Sequence, residues 1–390
     1  MVHATEDVSL KPQETIGPLT QGVAINDQAN NSFDSHGDDV VISYRGGIIE
    51  NRHDVHAAIV DASGTLIYTV GNYQRMTLAR SSTKPIQTLA ILETGAAERF
   101  DYDDADVALM CASHSSEPRH VERARAMLEK TGEKEGVLTC GGHPAQNPAV
   151  NRAWIKENYI PTALCNNCSG KHAGMVAGAL SLGASAHDYY LPGHAMQKRV
   201  YRAVEDLSGL GEKGVHWTVD GCNLPTPAVP LPNFALMFAR LANAADLSDD
   251  STMEAVDQRT QHLARIHKSM SRYHGLVAGE GRFDTALMAA YDGQIVGKIG
   301  ADACYGVAVR APTDASMTGA CQGAIGIAVK VEDGNLDVLY AAVMEILERL
   351  KIGTSEVRQS LDGWRYPKIV NTAGAVTGGY KHCFKLRSVV

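Results

Sequence analysis

No run of about 18 apolar residues occurs anywhere in the 390-residue chain, so no segment reads as a membrane-spanning helix. Long basic runs are also missing and the net charge is −8, which excludes the electrostatic footprint of a nucleic-acid or anionic-membrane binder. Aromatic residues make up only 6% of the chain. Eight cysteines in 390 residues are too sparse for a disulfide scaffold. The first 38 residues lack both sustained hydrophobic periodicity and the basic start and apolar core of a secretion signal. They read as a flexible extension (1–38) before one large domain (39–390), and a cytoplasmic address is the expectation. What remains is an ordinary soluble balance, 44% hydrophobic and 21% charged.

The pattern predicts α+β architecture, an antiparallel sheet packed with helices, because strand-like and helix-like runs cluster instead of alternating as βαβ units. "DDVVISYRGGIIENRHDVHAAIVDASGTLIYTVG" is a three-strand meander broken by Gly turns. "PIQTLAILETG" has helical spacing and a terminal glycine. "DADVALMC" reads as an apolar strand feeding a polar loop. "PTPAVPLP" reads as a Pro-rich loop, "GQIVGKIGADACYGVAVR" and "GAIGIAVKVEDG" as strands of one sheet, and "LDVLYAAVMEILERLKIG" as the final helix.

Several constellations carry chemistry. "RSSTKPIQ" sets Ser81 three residues before Lys84 at a helix start, so the two share a face. A serine attacks only when a base takes its proton, and roughly one ordinary lysine in a few thousand is neutral at pH 7. The motif is therefore either a nucleophile with a strongly perturbed base or a polar helix cap. "CASHSSEPRH" places Ser113, His114 and His120 in one polar loop, a site or a solvated surface. "NNCSGKHAGM" holds a lone Cys-x-x-Cys, which fails as a four-cysteine zinc knuckle, and its thiols read as buried small hydrophobes or as part of a turn that cradles an anion. In "VDGCNLPTP", Asp220 either receives an ammonium group or caps a turn. In "VAGEGRFDTALM", Arg282 and Asp284 read as a salt bridge across a turn.

Together with "RGGIIENRH" and "CGGHPAQNP", these motifs recur in the order that resembles the asparaginase II family, the rhizobial-type L-asparaginases. The resemblance implies a fold like that of the serine β-lactamases and glutaminases. It implies hydrolysis of L-asparagine to L-aspartate and ammonia by a homodimer. It implies Ser-Lys catalysis at Ser81 and Lys84, with a second pair at Ser113 and Lys298. Cys168, Lys171 and Cys222 match the family's zinc ligands, and Arg80, His172 and Asp220 match positions near the substrate. The sequence departs from the family's Gly-Ala-Glu-Gly at "GADA", where Asp302 and Ala303 stand. A related serine amidase or glutaminase, and a catalytically silent metal- or amino-acid-binding homologue, are the alternative readings.

Overall fold

The computed structural model describes residues 39–250, 256–312 and 323–389. The expected extension at 1–38 lies outside them. Strand β1 (Val40–Arg45) turns through Gly46 and Gly47 into the long β2 (Ile48–Asp61), and "DASG" returns the chain as β3 (Leu66–Val70). This is the expected meander, and β2 is its spine. Its first half pairs antiparallel with β1 and its second half pairs with β3 on one side. On the other side it pairs with β9 (Ile325–Val331), itself joined to β8 (Cys304–Val309) and the edge strand β7 (Ile295–Gly300). Helix 336–349 is not the last element. Two short helices follow it, and then strands β10 (Lys368–Val370), β11 (Val376–His382) and β12 (Arg387–Ser388). β11 lies against β1 with β10 beyond it, and β12 pairs with β3, which completes a nine-stranded antiparallel sheet.

Alternation along the central strands divides the apolar side chains between two layers. One face carries Ile59, Tyr305, Val307, Ile327 and Val329, packed with helix 336–349. The other carries Ala58, Ala308, Ala328, Gly306 and Gly326, residues too small to fill space alone. Helix Leu231–Asp249 lies directly on that small-residue face. A Cβ on Gly326 would come within 1.9 Å of the Ala235 carbonyl oxygen, so glycine sets how closely helix and sheet approach.

Two elements differ from the sequence reading. Asp104–Met110 is a helix, started by a reciprocal capping box between Asp103 and Asp106. Residues 105–110 are buried on every side, which hides the helical period. "PTPAVP" is strand β6 (Pro225–Pro230), the middle of a three-stranded sheet between β4 (Met76–Leu78) and β5 (His216–Val219). Prolines survive there because both neighbours are only three or four residues long, so few ladder bonds are at stake. No helix among the described residues is long and apolar enough to cross a membrane.

Candidate active site

The small sheet brings the ends of two distant segments together. β4 runs into Arg80 and Ser81, and β5 runs into Asp220 and Cys222. Arg80 holds a left-handed φ of 49°, a strained value for a residue with a side chain, on the step just before Ser81. Two carboxylates pin it. Its Nε donates to Asp220 Oδ1 at 2.7 Å and its Nη1 to Asp302 Oδ2 at 2.7 Å. Burial opposes the Asp220 charge, yet Lys171 and Arg80 hold its carboxyl below the usual range. A 3-10 turn, Arg80–Thr83, then leads into helix Lys84–Leu92, with Pro85 in its first turn. Ser82 Oγ ties this turn to the edge strand β7 by donating to the Lys298 carbonyl at 2.9 Å.

The Lys84 side chain does not reach back to Ser81. Its ammonium turns inward, donating to the Ala112 carbonyl at 2.5 Å and to Ser113 Oγ at 3.0 Å. Lys298 approaches the same hydroxyl from β7, with Nζ 2.8 Å from Ser113 Oγ and 2.8 Å from the Ile299 carbonyl. Both lysines are fully buried. Burial pushes Lys298 down to about 7, the Lys84 and Arg282 charges adding to the effect and Asp284 opposing it. Ser113 thus sits between two amines, one of them largely free to be neutral near pH 7. Ser81 is half-buried and its hydroxyl has no side-chain partner among the described residues.

The Ser113 loop is not a solvated surface. Ser113, His114, Ser115, Ser116 and His120 are all buried. The Ser113 amide donates to the Val277 carbonyl at 2.9 Å, and Ser116 Oγ donates to the Cys165 carbonyl at 2.7 Å from a left-handed φ of 61°. His114 shares a hydrogen bond with Ser169 Oγ at 2.9 Å, and burial holds it neutral. These bonds fix the loop so that Ser113 faces the same cavity as Ser81. That cavity, about 610 Å³, is also lined by Gln146, Asn167, Arg282, Asp302 and Tyr340.

A thiol cluster lies behind it. Cys168 precedes helix Ser169–Ser181, and Lys171, three residues on, points the same way. Lys171 Nζ is 3.2 Å from Cys222 Sγ. A hydrogen bond from Cys168, followed by the Lys171 charge, holds the Cys222 thiol well below its ordinary value, while its bond to Cys222 pushes Cys168 up to about 12. Burial opposes the Lys171 charge, yet the Cys222 thiolate raises its pKa above the usual lysine value. No group of three His, Cys, Asp or Glu side chains among the described residues has metal-site geometry, so any metal here would have to count the lysine amine as a ligand. Two sulfurs and one nitrogen converge there, and the set fits zinc only with Lys171 as a neutral amine, so that binding would release its proton. Cys111, Cys140, Cys165, Cys168, Cys222 and Cys304 form no disulfide among the described residues.

The predicted residues therefore fall into three linked groups: Ser81, Ser113, Lys84 and Lys298 at the cavity; Arg80 with Asp220 beside it; and Cys168, Lys171 and Cys222 behind. His172 is placed apart from the cavity wall. It is fully buried, shares a 2.5 Å hydrogen bond with the Tyr189 hydroxyl, and is held neutral by burial, its pKa lowered to about 3. The Arg282–Asp284 bridge is not formed. Asp284 turns inward to accept the Ile299 amide at 2.8 Å, leaving Arg282 on the cavity. In the sequence Gln146 and Asn167 are only members of motifs, Arg282 reads as half of a salt bridge, and Tyr340 carries no signal beyond helical periodicity.

In comparison with solved structures, the chain is similar to "Mglu" at 13% identity, covering 80% of this chain and 67% of that one with a TM-score of 0.36. It is also similar to a Bacillus subtilis glutaminase in covalent complex with 5-oxo-L-norleucine, at 13% identity, covering 79% of this chain and 88% of that one with a TM-score of 0.33. No curated protein sequence matches. The family model of L-asparaginase II matches residues 41–382, nearly the whole described chain. The chain therefore belongs to the L-asparaginase II family and is by family an amidohydrolase acting on a small-molecule substrate.

Proposed function

We propose that the protein hydrolyses L-asparagine to L-aspartate and ammonia through an acyl-enzyme on Ser81. The observation that carries this reading is the convergence of Ser81 and Ser113 on one cavity over two buried lysines, one of them with a pKa near 7. Ser81 is the attacking group because it is the more open serine and its hydroxyl is uncommitted. Ser113, 4% exposed and engaged by both amines, is the proton relay. Ser81 Oγ forms a bond to the side-chain amide carbon while its proton passes through Ser113 to neutral Lys298. The carbon–nitrogen bond then breaks, and the proton returned from Lys298 leaves with the nitrogen as ammonia. Water attacks the resulting β-aspartyl ester by the same route in reverse, releasing aspartate and restoring the Ser81 hydroxyl. Lys84, anchored by the Ala112 carbonyl and Ser113, fixes the relay and helps keep Lys298 deprotonated. Cys168, Lys171 and Cys222 are the residues that would hold zinc. Bound there, the ion would supply a fixed positive charge near Asp220, not the nucleophile.

Ammonia release by purified protein tests the reading. L-asparagine should be turned over well ahead of L-glutamine. Absence of ammonia release from asparagine would refute it, and a preference for glutamine would move the substrate assignment while leaving the serine chemistry intact.

A further inference from the structure

Arg282 is a cation on the cavity wall that the fold leaves without a counter-ion. It is half-buried, lines the same cavity as Ser81 and Ser113, and makes no ion pair among the described residues. Its Nη1 donates to Gln146 Oε1 at 2.5 Å and to Ser115 Oγ at 3.3 Å. These partners are neutral. Ser115 spends its own proton on the Ala278 carbonyl at 2.9 Å, so its lone pairs face the guanidinium. The guanidinium also lies within hydrogen-bonding reach of the Tyr340 hydroxyl, a third neutral partner. The aspartate that the sequence offers as its partner, Asp284, is fully buried and bonded to the Ile299 amide.

Holding a charge partly out of water without an opposite charge is unfavourable, and a guanidinium held on a cavity wall by neutral groups alone matches a carboxylate. The rest of the wall narrows the ligand. Its one carboxylate, Asp302, is already paired with Arg80 at 2.7 Å, and it carries two serines that act on an amide in the reading given above. A ligand with an anionic end for Arg282 and an amide for the serines is an amide that carries a carboxylate, as asparagine does. The geometry points to Arg282 as the anchor of the substrate's α-carboxylate, which makes it the residue that selects free amino acids over amides lacking that group. This inference rests on the cavity being the reaction site.

The test compares L-asparagine with 3-aminopropanamide, which keeps the amide and the ammonium but lacks the α-carboxylate. The wild type should prefer asparagine in kcat/KM by about ten- to a hundred-fold, the effect of one charge-assisted pair. Arg282→Gln should lower kcat/KM for asparagine by a similar factor, mainly through KM, and barely move the value for 3-aminopropanamide. Arg282→Lys should recover part of the loss, since it restores the charge but not the fork. An equal fall on both substrates would make Arg282 a structural residue and overturn the inference, as would unchanged asparagine kinetics. Calorimetric titration with L-aspartate and with β-alanine reads the same site without turnover. Tight aspartate binding that Arg282→Gln removes supports the anchor even if asparagine is not hydrolysed, whereas no aspartate binding by the wild type overturns it.

Discussion

Replacing Lys298 by methionine should stabilise the fold and remove turnover in one step. The amine is fully buried, and its pKa falls from the ordinary 10.5 to about 7. That difference corresponds to about 5 kcal/mol by which folding disfavours the ammonium. Methionine removes this cost at similar volume. It also forfeits the hydrogen bonds to Ser113 Oγ and the Ile299 carbonyl, each contributing about 1–1.5 kcal/mol. The net expectation at pH 7 is a gain of about 2 kcal/mol, read as a rise of a few degrees in Tm. The sign with pH follows from proton binding. Between about pH 7 and 10.5 the unfolded chain holds a proton on this lysine that the folded chain does not, so wild-type stability climbs as pH rises through that window. Below about pH 7 both states are protonated and the full cost is present. Thermal unfolding of the two proteins from pH 6 to 9.5 should therefore show the largest gap at the acid end, closing as pH rises. Ammonia release, expected to fall by about tenfold per pH unit below pH 7 in the wild type, should be lost in the variant at every pH. A variant that is less stable at pH 7, or pH–stability curves that run parallel, would show that Lys298 is held charged and would refute its assignment as the base.

Ser81→Ala should abolish turnover, whereas Ser113→Ala should leave a residue of it, and mass spectrometry of rapidly quenched enzyme should find the acyl adduct on the Ser81 peptide; an adduct on Ser113 would reverse the two roles. Elemental analysis of protein purified without chelator should find about one zinc per chain, lost in Cys222→Ala, and protein that stays metal-free when zinc is supplied would leave the cluster a thiolate–ammonium pair. Gly326→Val should destabilise by several kcal/mol, measured by denaturant unfolding, because its Cβ meets the Ala235 backbone at 1.9 Å. Asp302→Asn should loosen the strained Arg80 and lower kcat with little change in Tm, since Asp302 itself is exposed and Asp220 still holds the guanidinium.

Local pattern was enough for the elements whose signal is local. The β1–β3 meander follows from alternation and Gly turns, and helix 84–92 from apolar spacing with proline in its first turn. Runs buried on all sides, such as 105–110, carry no period, so their helical state depends on a capping box and on what packs around them. The motifs named the chemistry-bearing residues of the site, because a nucleophile, a base and soft ligands need particular side chains. Pairing was another matter. Spacing put Lys84 beside Ser81, but in space its amine lies against Ser113, where Lys298 arrives from 185 residues away. Adjacency in sequence likewise suggested Arg282 with Asp284, and the fold turned one into the cavity and the other into the core. Sequence by itself determined which functional groups are present. Which of them meet, and which lysine gives up its proton near pH 7, was decided only by the tertiary structure, because desolvation and charge proximity are properties of packing that no linear spacing contains.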